Sequence, residues 1–192
     1  MVSRAERSAF GDWWWTVDRL LLAGLAILML AGLVFLMAGG PPVAERLGLS
    51  TFHFVNRQVM FLVPALAIMI TVSFLSLRHL RRLALLVYAA GMVMILLAFQ
   101  YGPEIKGAHR WIMIGPLGLQ PSEFVKPAFV VLSAWAFSEG ARRKDVPGTL
   151  LALLLLPATI VPLILQPDFG QTMLVTIVWA ACSSSPGCTG SG

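Results

Sequence analysis

Charge is what this chain has least of. Of its 192 residues only 12% are Asp, Glu, Lys or Arg, about half the share carried by an ordinary soluble domain. Set against 58% hydrophobic residues and a mean hydropathy of +0.82, this scarcity excludes a conventional water-facing surface and marks an integral membrane protein. Cysteine is nearly absent as well. Cys182 and Cys188 both lie in the final segment, and their number and placement suggest neither a disulfide framework nor a metal site. A concentrated basic patch is missing too. The net charge is +5, but Lys and Arg are spread through short loops rather than gathered with exposed aromatics, so membrane topology accounts for them and a nucleic-acid partner does not.

What the chain does have is apolar runs close to the roughly 20 residues needed to cross ~30 Å of hydrocarbon. They are Leu20–Ala38, Val59–Leu77, Leu80–Phe99, Pro121–Phe137, Leu150–Leu165 and a shorter one, Gln171–Ala181. The first exceeds the usual apolar length of a signal peptide and no persuasive cleavage site follows, so it reads as an uncleaved span. Positive residues are retained on the cytoplasmic side. Arg4, Arg7 and Arg19 precede the first span, Arg78, Arg81 and Arg82 follow the second, and Arg142, Arg143 and Lys144 follow the fourth. The alternate loops hold only Arg46, Arg57, Lys106 and Arg110. The N-terminus is therefore expected in the cytoplasm. Residues 1–19 form a cytoplasmic tail, residues 20–181 a transmembrane region of six spans, and Trp13, Trp14 and Trp15 fit an interfacial aromatic belt.

This orientation places two similar phrases on the outer face: Gln120-Pro121-Ser122-Glu123 and Gln166-Pro167-Asp168, each opening a span. One reading is helix capping, because Pro suits a first helical turn and Ser122, Glu123 or Asp168 can accept backbone N–H bonds. Capping does not explain Lys126, three residues after Glu123 on the same helical face. An ionisable pair at that depth is expected to be partnered and to face the protein interior. Pro127 adds a local break at the same helix end. Arg110-Trp111, just upstream, offers fixed positive charge and an aromatic face suited to phosphate or sugar, with interfacial anchoring as the alternative.

The phrases "GAHRWIMIGPLGLQPSEFVKPAFVV" and "LQPDFGQT" together resemble the SEDS family, the shape, elongation, division and sporulation proteins. "WWWTVDRLLL", "FHFVNRQ" and the loop Glu139–Pro147 are more similar to its division members than to its elongation members. The similarity covers about residues 12 to 181. His109 stands where another basic residue is common, and Pro127 where many members have Leu. The resemblance implies an all-α, polytopic membrane helix bundle of about ten spans, of which this chain holds about six. It also implies a peptidoglycan glycosyltransferase that polymerises lipid II at the outer face of the bacterial cytoplasmic (inner) membrane, at the division septum. Partners implied are a class B penicillin-binding transpeptidase and other divisome proteins.

In that reaction the sugar 4-hydroxyl of one lipid II attacks the anomeric carbon of the growing chain, and undecaprenyl pyrophosphate leaves. The step needs a base for the hydroxyl, and positive charge or a divalent cation such as Mg for the departing pyrophosphate. The substrate-binding candidates are Arg110, Trp111, Gln120, Ser122, Glu123, Lys126 and Asp168. Arg110 and Lys126 suit charge stabilisation, while Glu123 and Asp168 suit organisation of the site. The family's base is an Asp in a large outer loop between the seventh and eighth spans, so no catalytic residue is assigned here.

The last apolar run breaks off after Ala181 into "CSSSPGCTGSG", an aberrant tail over residues 182–192. A flexible tail is one explanation. A reading-frame shift near Ala181 is the one we favour, because TCN serine codons read one base back become codons for Phe, Leu, Ile or Val, as a continuing span would require. The chain alone is then expected to be inactive. Two other function classes fit the composition: a flippase for a lipid-linked precursor, and a non-catalytic divisome scaffold. Transporters bind near the midplane between paired broken helices. Here the polar residues gather at the outer ends of spans, which favours surface chemistry.

Overall fold

The computed structural model describes residues 9–104, 107–115, 117–143, 145 and 147–184. Arg4, Arg7, Lys106, Lys144 and Cys188, each used above, lie outside the described residues. The six apolar runs become six helices. These are α2 (Arg19–Arg46), α3 (His53–Ser73), α4 (Leu77–Tyr101), α5 (Ser122–Arg142), α6 (Gly148–Leu165) and α7 (Phe169–Ser184), preceded by a short α1 (Ala9–Thr16). Two short strands, β1 (Ile112–Ile114) and β2 (Leu117–Leu119), form an antiparallel hairpin between α4 and α5. Among the described residues, α2, α3, α4 and α6 are long and apolar enough to cross a membrane by length and composition.

The chain divides into two compact units, Met1–Leu75 and Ser76–Gly192. In the first, Asp18 starts α2 by accepting the N–H groups of Leu20 and Leu21 at 2.9 and 3.1 Å, which satisfies donors the first turn would otherwise leave unpaired. At 28 residues α2 is about 42 Å long, more than the hydrocarbon thickness. The aromatic run expected to sit as an interfacial belt folds as α1. Trp13 donates its indole N–H to Ser73 Oγ at 2.7 Å and stacks on Phe74 at 5.2 Å, while Arg19 lies over Trp14 and Trp15.

In the second unit α5 is the central helix, with α4, α6 and α7 packed around it. It carries Glu123, Lys126, Glu139 and Arg142 in 21 residues and still belongs inside the unit. Those four charges lie toward the two ends of the helix and none of them is buried, while the stripe facing the other helices is mostly apolar. Val125, Ala128, Phe129, Leu132, Ala136 and Phe137 are buried along it. Phe129 meets Leu163 of α6 and Val175 of α7 in one cluster, and Ala128 and Leu132 meet Ala84 of α4 in another. Close approach depends on missing side chains. A Cβ on Gly91 of α4 would stand 2.5 Å from Val125 Cγ2, and one on Gly148 of α6 would stand 2.3 Å from the Ala136 carbonyl oxygen.

Two expectations change. The break anticipated at Pro127 does not interrupt α5, which runs through that residue from Ser122 to Arg142. Pro127 is the sixth residue of α5, so its missing N–H removes the one bond to the Glu123 carbonyl, and the helix continues across that single gap. The last run is longer than its apolar composition suggested, because Phe169, Gly170 and Cys182–Ser184 are also helical. Sixteen residues give about 24 Å.

Candidate functional site

The segment between α4 and α5 is organised by its hairpin. Ile112 pairs with Leu119, Met113 with Gly118 and Ile114 with Leu117, and Gly115 turns the chain at φ +61°. The turn demands a left-handed conformation that glycine adopts without steric cost. The Trp111 ring lies over Gly118, its Cε3 atom 3.1 Å from where a Cβ would stand. Trp111 is therefore folded onto its own hairpin and half-buried. The hairpin fixes Arg110 at its entrance and delivers Gln120 at its exit into α5.

Arg110 reaches the junction between α6 and α7. Its Nε donates to the Gln166 carbonyl at 2.8 Å and its Nη2 to the Pro167 carbonyl at 2.9 Å, while Nη1 lies 3.7 Å from Asp168 Oδ2. A guanidinium at the end of α6 satisfies carbonyls left without intrahelical donors and complements the negative end of the dipole. Gln166 returns the contact. Its side chain is buried and donates through Nε2 to the His109 carbonyl at 3.0 Å. His109 Nδ1 lies 2.7 Å from the Gly102 carbonyl, which ties the loop back to α4.

Capping accounts for Asp168, whose Oδ1 accepts the backbone N–H of Gln171 in the first turn of α7 at 3.4 Å. It does not account for Ser122 or Glu123, since α5 begins at Pro121 without a side-chain cap. The buried Ser122 hydroxyl accepts from Gln120 Nε2 at 3.1 Å. Both Glu123 oxygens are engaged: Oε2 by Lys126 Nζ at 2.8 Å and Oε1 by Gln171 Nε2 at 2.8 Å. The expected Glu–Lys pair is therefore present. Its enclosure is uneven, however, with 20% of the Lys126 side chain exposed and 51% of Glu123, because Glu123 sits one turn nearer the helix end.

The fold thus assembles one polar network at the end of the unit where α5 and α7 begin. It runs from Arg110 through Asp168 and Gln171 to Glu123 and Lys126. Gln120 and Ser122 pair with each other beside it, and Trp111 follows Arg110 on the hairpin. Three members are not among the residues picked from sequence: Gln171, Gln166 and His109. Gln171 lies one turn after Asp168 in "QPDFGQ", so a search of the first turn of α7 for polar side chains facing α5 would have found it. Chemically, the network offers an ammonium with spare donors, a guanidinium, and carboxylates already held by cations or amides. Among the described residues no three His, Cys, Asp or Glu groups stand together to hold a metal. The described residues do not form a divalent-cation cage.

Residues 18–184 match the family model for FtsW, RodA and SpoVE, described as cell cycle proteins. The chain is 42% identical over 181 residues to a probable peptidoglycan glycosyltransferase FtsW of Caulobacter vibrioides, covering 93% of this chain and 46% of that protein. It is 30% identical over 166 residues to the protein of the same description from Idiomarina loihiensis, covering 85% and 41%. Among solved structures, the rod shape determining protein RodA of Thermus thermophilus is similar with a TM-score of 0.67 and 32% identity, over 84% of this chain and 51% of that one. A chain from a peptidoglycan synthase complex, described as coordinating polymerization and crosslinking, is similar with a TM-score of 0.57 and 32% identity, over 79% and 46%. The chain spans about half the length of the relatives it matches.

Proposed function

The chain belongs to the FtsW, RodA and SpoVE family of cell cycle proteins, and from that premise we propose that it forms the N-terminal part of a peptidoglycan glycosyltransferase of cell division. The full protein polymerises lipid II at the outer face of the bacterial cytoplasmic membrane, at the septum. It does so beside a class B penicillin-binding transpeptidase. The similarity to a chain of a peptidoglycan synthase complex supports that partnership.

The observation that carries this reading is the network itself. Residues far apart in sequence, Arg110, Glu123, Lys126, Asp168 and Gln171, form one connected group at the end of an apolar bundle. Ionisable groups at that depth are costly unless they have work or partners. Lys126 is half-buried and uses one of its three N–H donors on Glu123. The others are free to meet anionic oxygen, so Lys126 and Arg110 stabilise the charge that develops on the departing pyrophosphate. Glu123 and Asp168 orient these cations, Trp111 and Gln120 contact sugar, and Ser122 holds Gln120 in place.

The test uses the full-length protein with its transpeptidase partner in liposomes containing lipid II. Wild type should make glycan strands, and Lys126→Met should reduce the rate by at least about tenfold, the scale on which one charge-stabilising group acts. Folded yield should be unchanged. Movement of lipid II across the bilayer without any polymer would replace this reading with transport.

A further inference from the structure

We infer that Gln171 is a positioning residue for the Glu123–Lys126 pair, a role that rests on the functional reading above. Its amide orientation is fixed by chemistry. A carboxylate only accepts hydrogen bonds, so the 2.8 Å contact to Glu123 Oε1 must be made by Nε2, and the amide oxygen must point away. That oxygen is buried and has no hydrogen-bond partner. An unpaired buried acceptor costs stability, and native structures keep few of them. Gln171 therefore carries one unmet buried acceptor beside the amide donor that it places on Glu123.

What the residue gains in return is a connection. Glu123 and Lys126 are neighbours on α5, and within α5 Lys126 holds only the Oε2 oxygen of a Glu123 side chain that is 51% exposed. Gln171, 48 positions away on α7, holds the carboxylate oxygen that Lys126 leaves free. Its own backbone N–H is held by Asp168, the partner of Arg110. Gln171 is thus the one link between the two ion pairs among the described residues. Through it, the direction of the Lys126 ammonium depends on where α7 begins. Locally unfavourable chemistry kept at the junction of two charged pairs is the pattern expected of a site residue rather than of a packing residue.

The experiment uses the full-length protein, its transpeptidase partner and lipid II, and reads kcat, KM and melting temperature together. Gln171→Met keeps the length and removes both polar atoms. It should lower kcat at least tenfold with the melting temperature unchanged or raised. Gln171→Glu places a second carboxylate against Glu123 and should be worse. The double variant Glu123→Gln with Gln171→Glu restores an amide facing a carboxylate and should recover most of the activity that Gln171→Glu loses. A Gln171→Met protein within twofold of wild type overturns the inference, as does one whose activity and melting temperature fall together with no recovery in the swapped pair. A wild type inert toward lipid II sinks the functional reading and this inference with it, whereas an active wild type beside an indifferent Gln171→Met sinks this inference alone.

Discussion

Arg110 and Gln166 hold each other's segments of chain from opposite directions: the guanidinium donates to the Gln166 carbonyl at 2.8 Å, and the Gln166 side chain donates to the carbonyl of His109 at 3.0 Å. The contact joins the loop after α4 to the junction of α6 and α7. Arg110 is consequently a structural residue as well as a source of positive charge. Arg110→Ala should lower stability by about 1–3 kcal/mol, since two carbonyls lose charge-assisted donors and Asp168 loses its cation. Arg110→Lys should recover little, because an ammonium cannot reproduce the fork that reaches two carbonyls at once. Thermal melting of the purified protein in detergent measures both, and an Arg110→Lys variant as stable as wild type would remove the structural role.

The uneven enclosure of Glu123 and Lys126 gives the pair a direction. Removing Glu123 leaves Lys126, only 20% exposed, without its carboxylate and leaves the Gln171 amide without an acceptor. Removing Lys126 leaves Glu123 still held by Gln171 and half-exposed. Glu123→Ala should therefore destabilise more than Lys126→Ala. The double variant should lose less than the sum, with a coupling of about 0.5–1 kcal/mol for a partly exposed pair. Strictly additive losses in a double-mutant cycle would count against the pairing.

The crossing of α4 and α5 is set by Gly91 against Val125, where an added Cβ would lie 2.5 Å from Val125 Cγ2. Gly91→Ala should cost about 1–3 kcal/mol as an overpacked contact, and Val125→Ala introduced with it should return much of that loss. Gly148→Ala is a harder case. Its Cβ would meet the backbone of Ala136 and Gly140, so trimming a side chain cannot relieve it. If melting experiments show the Gly148 variant to be the milder of the two, this account of the helix crossings is wrong.

Orientation is open to direct measurement. Arg82 lies in the early turns of α4, not in a loop as the sequence suggested, and Arg143 caps the end of α5. Reporter fusions at these positively charged helix ends should report the cytoplasm, while a fusion at Asp168 should report the outer side. An outward signal at Arg143 would put the polar network on the cytoplasmic face and overturn the proposed site.

The six helices α2–α7 were legible in sequence because each contains an apolar run, and four of them, α2, α3, α4 and α6, are long and apolar enough to cross hydrocarbon, where a helix is the only local solution for the backbone. Asp18 at the start of α2 and the Glu123–Lys126 spacing are likewise local, decided within one or two turns. The short hairpin was less visible, since three-residue strands carry too little pattern to be read among apolar neighbours. What only the tertiary structure decided is which distant polar groups meet. No periodicity links Arg110 to the carbonyls of Gln166 and Pro167, or Gln171 to Glu123, because those contacts depend on α5 lying between α4, α6 and α7 so that the starts of α5 and α7 stand together. Spacing along the chain marks partners within a few residues of each other, and packing alone brings together partners 48 and 56 positions apart.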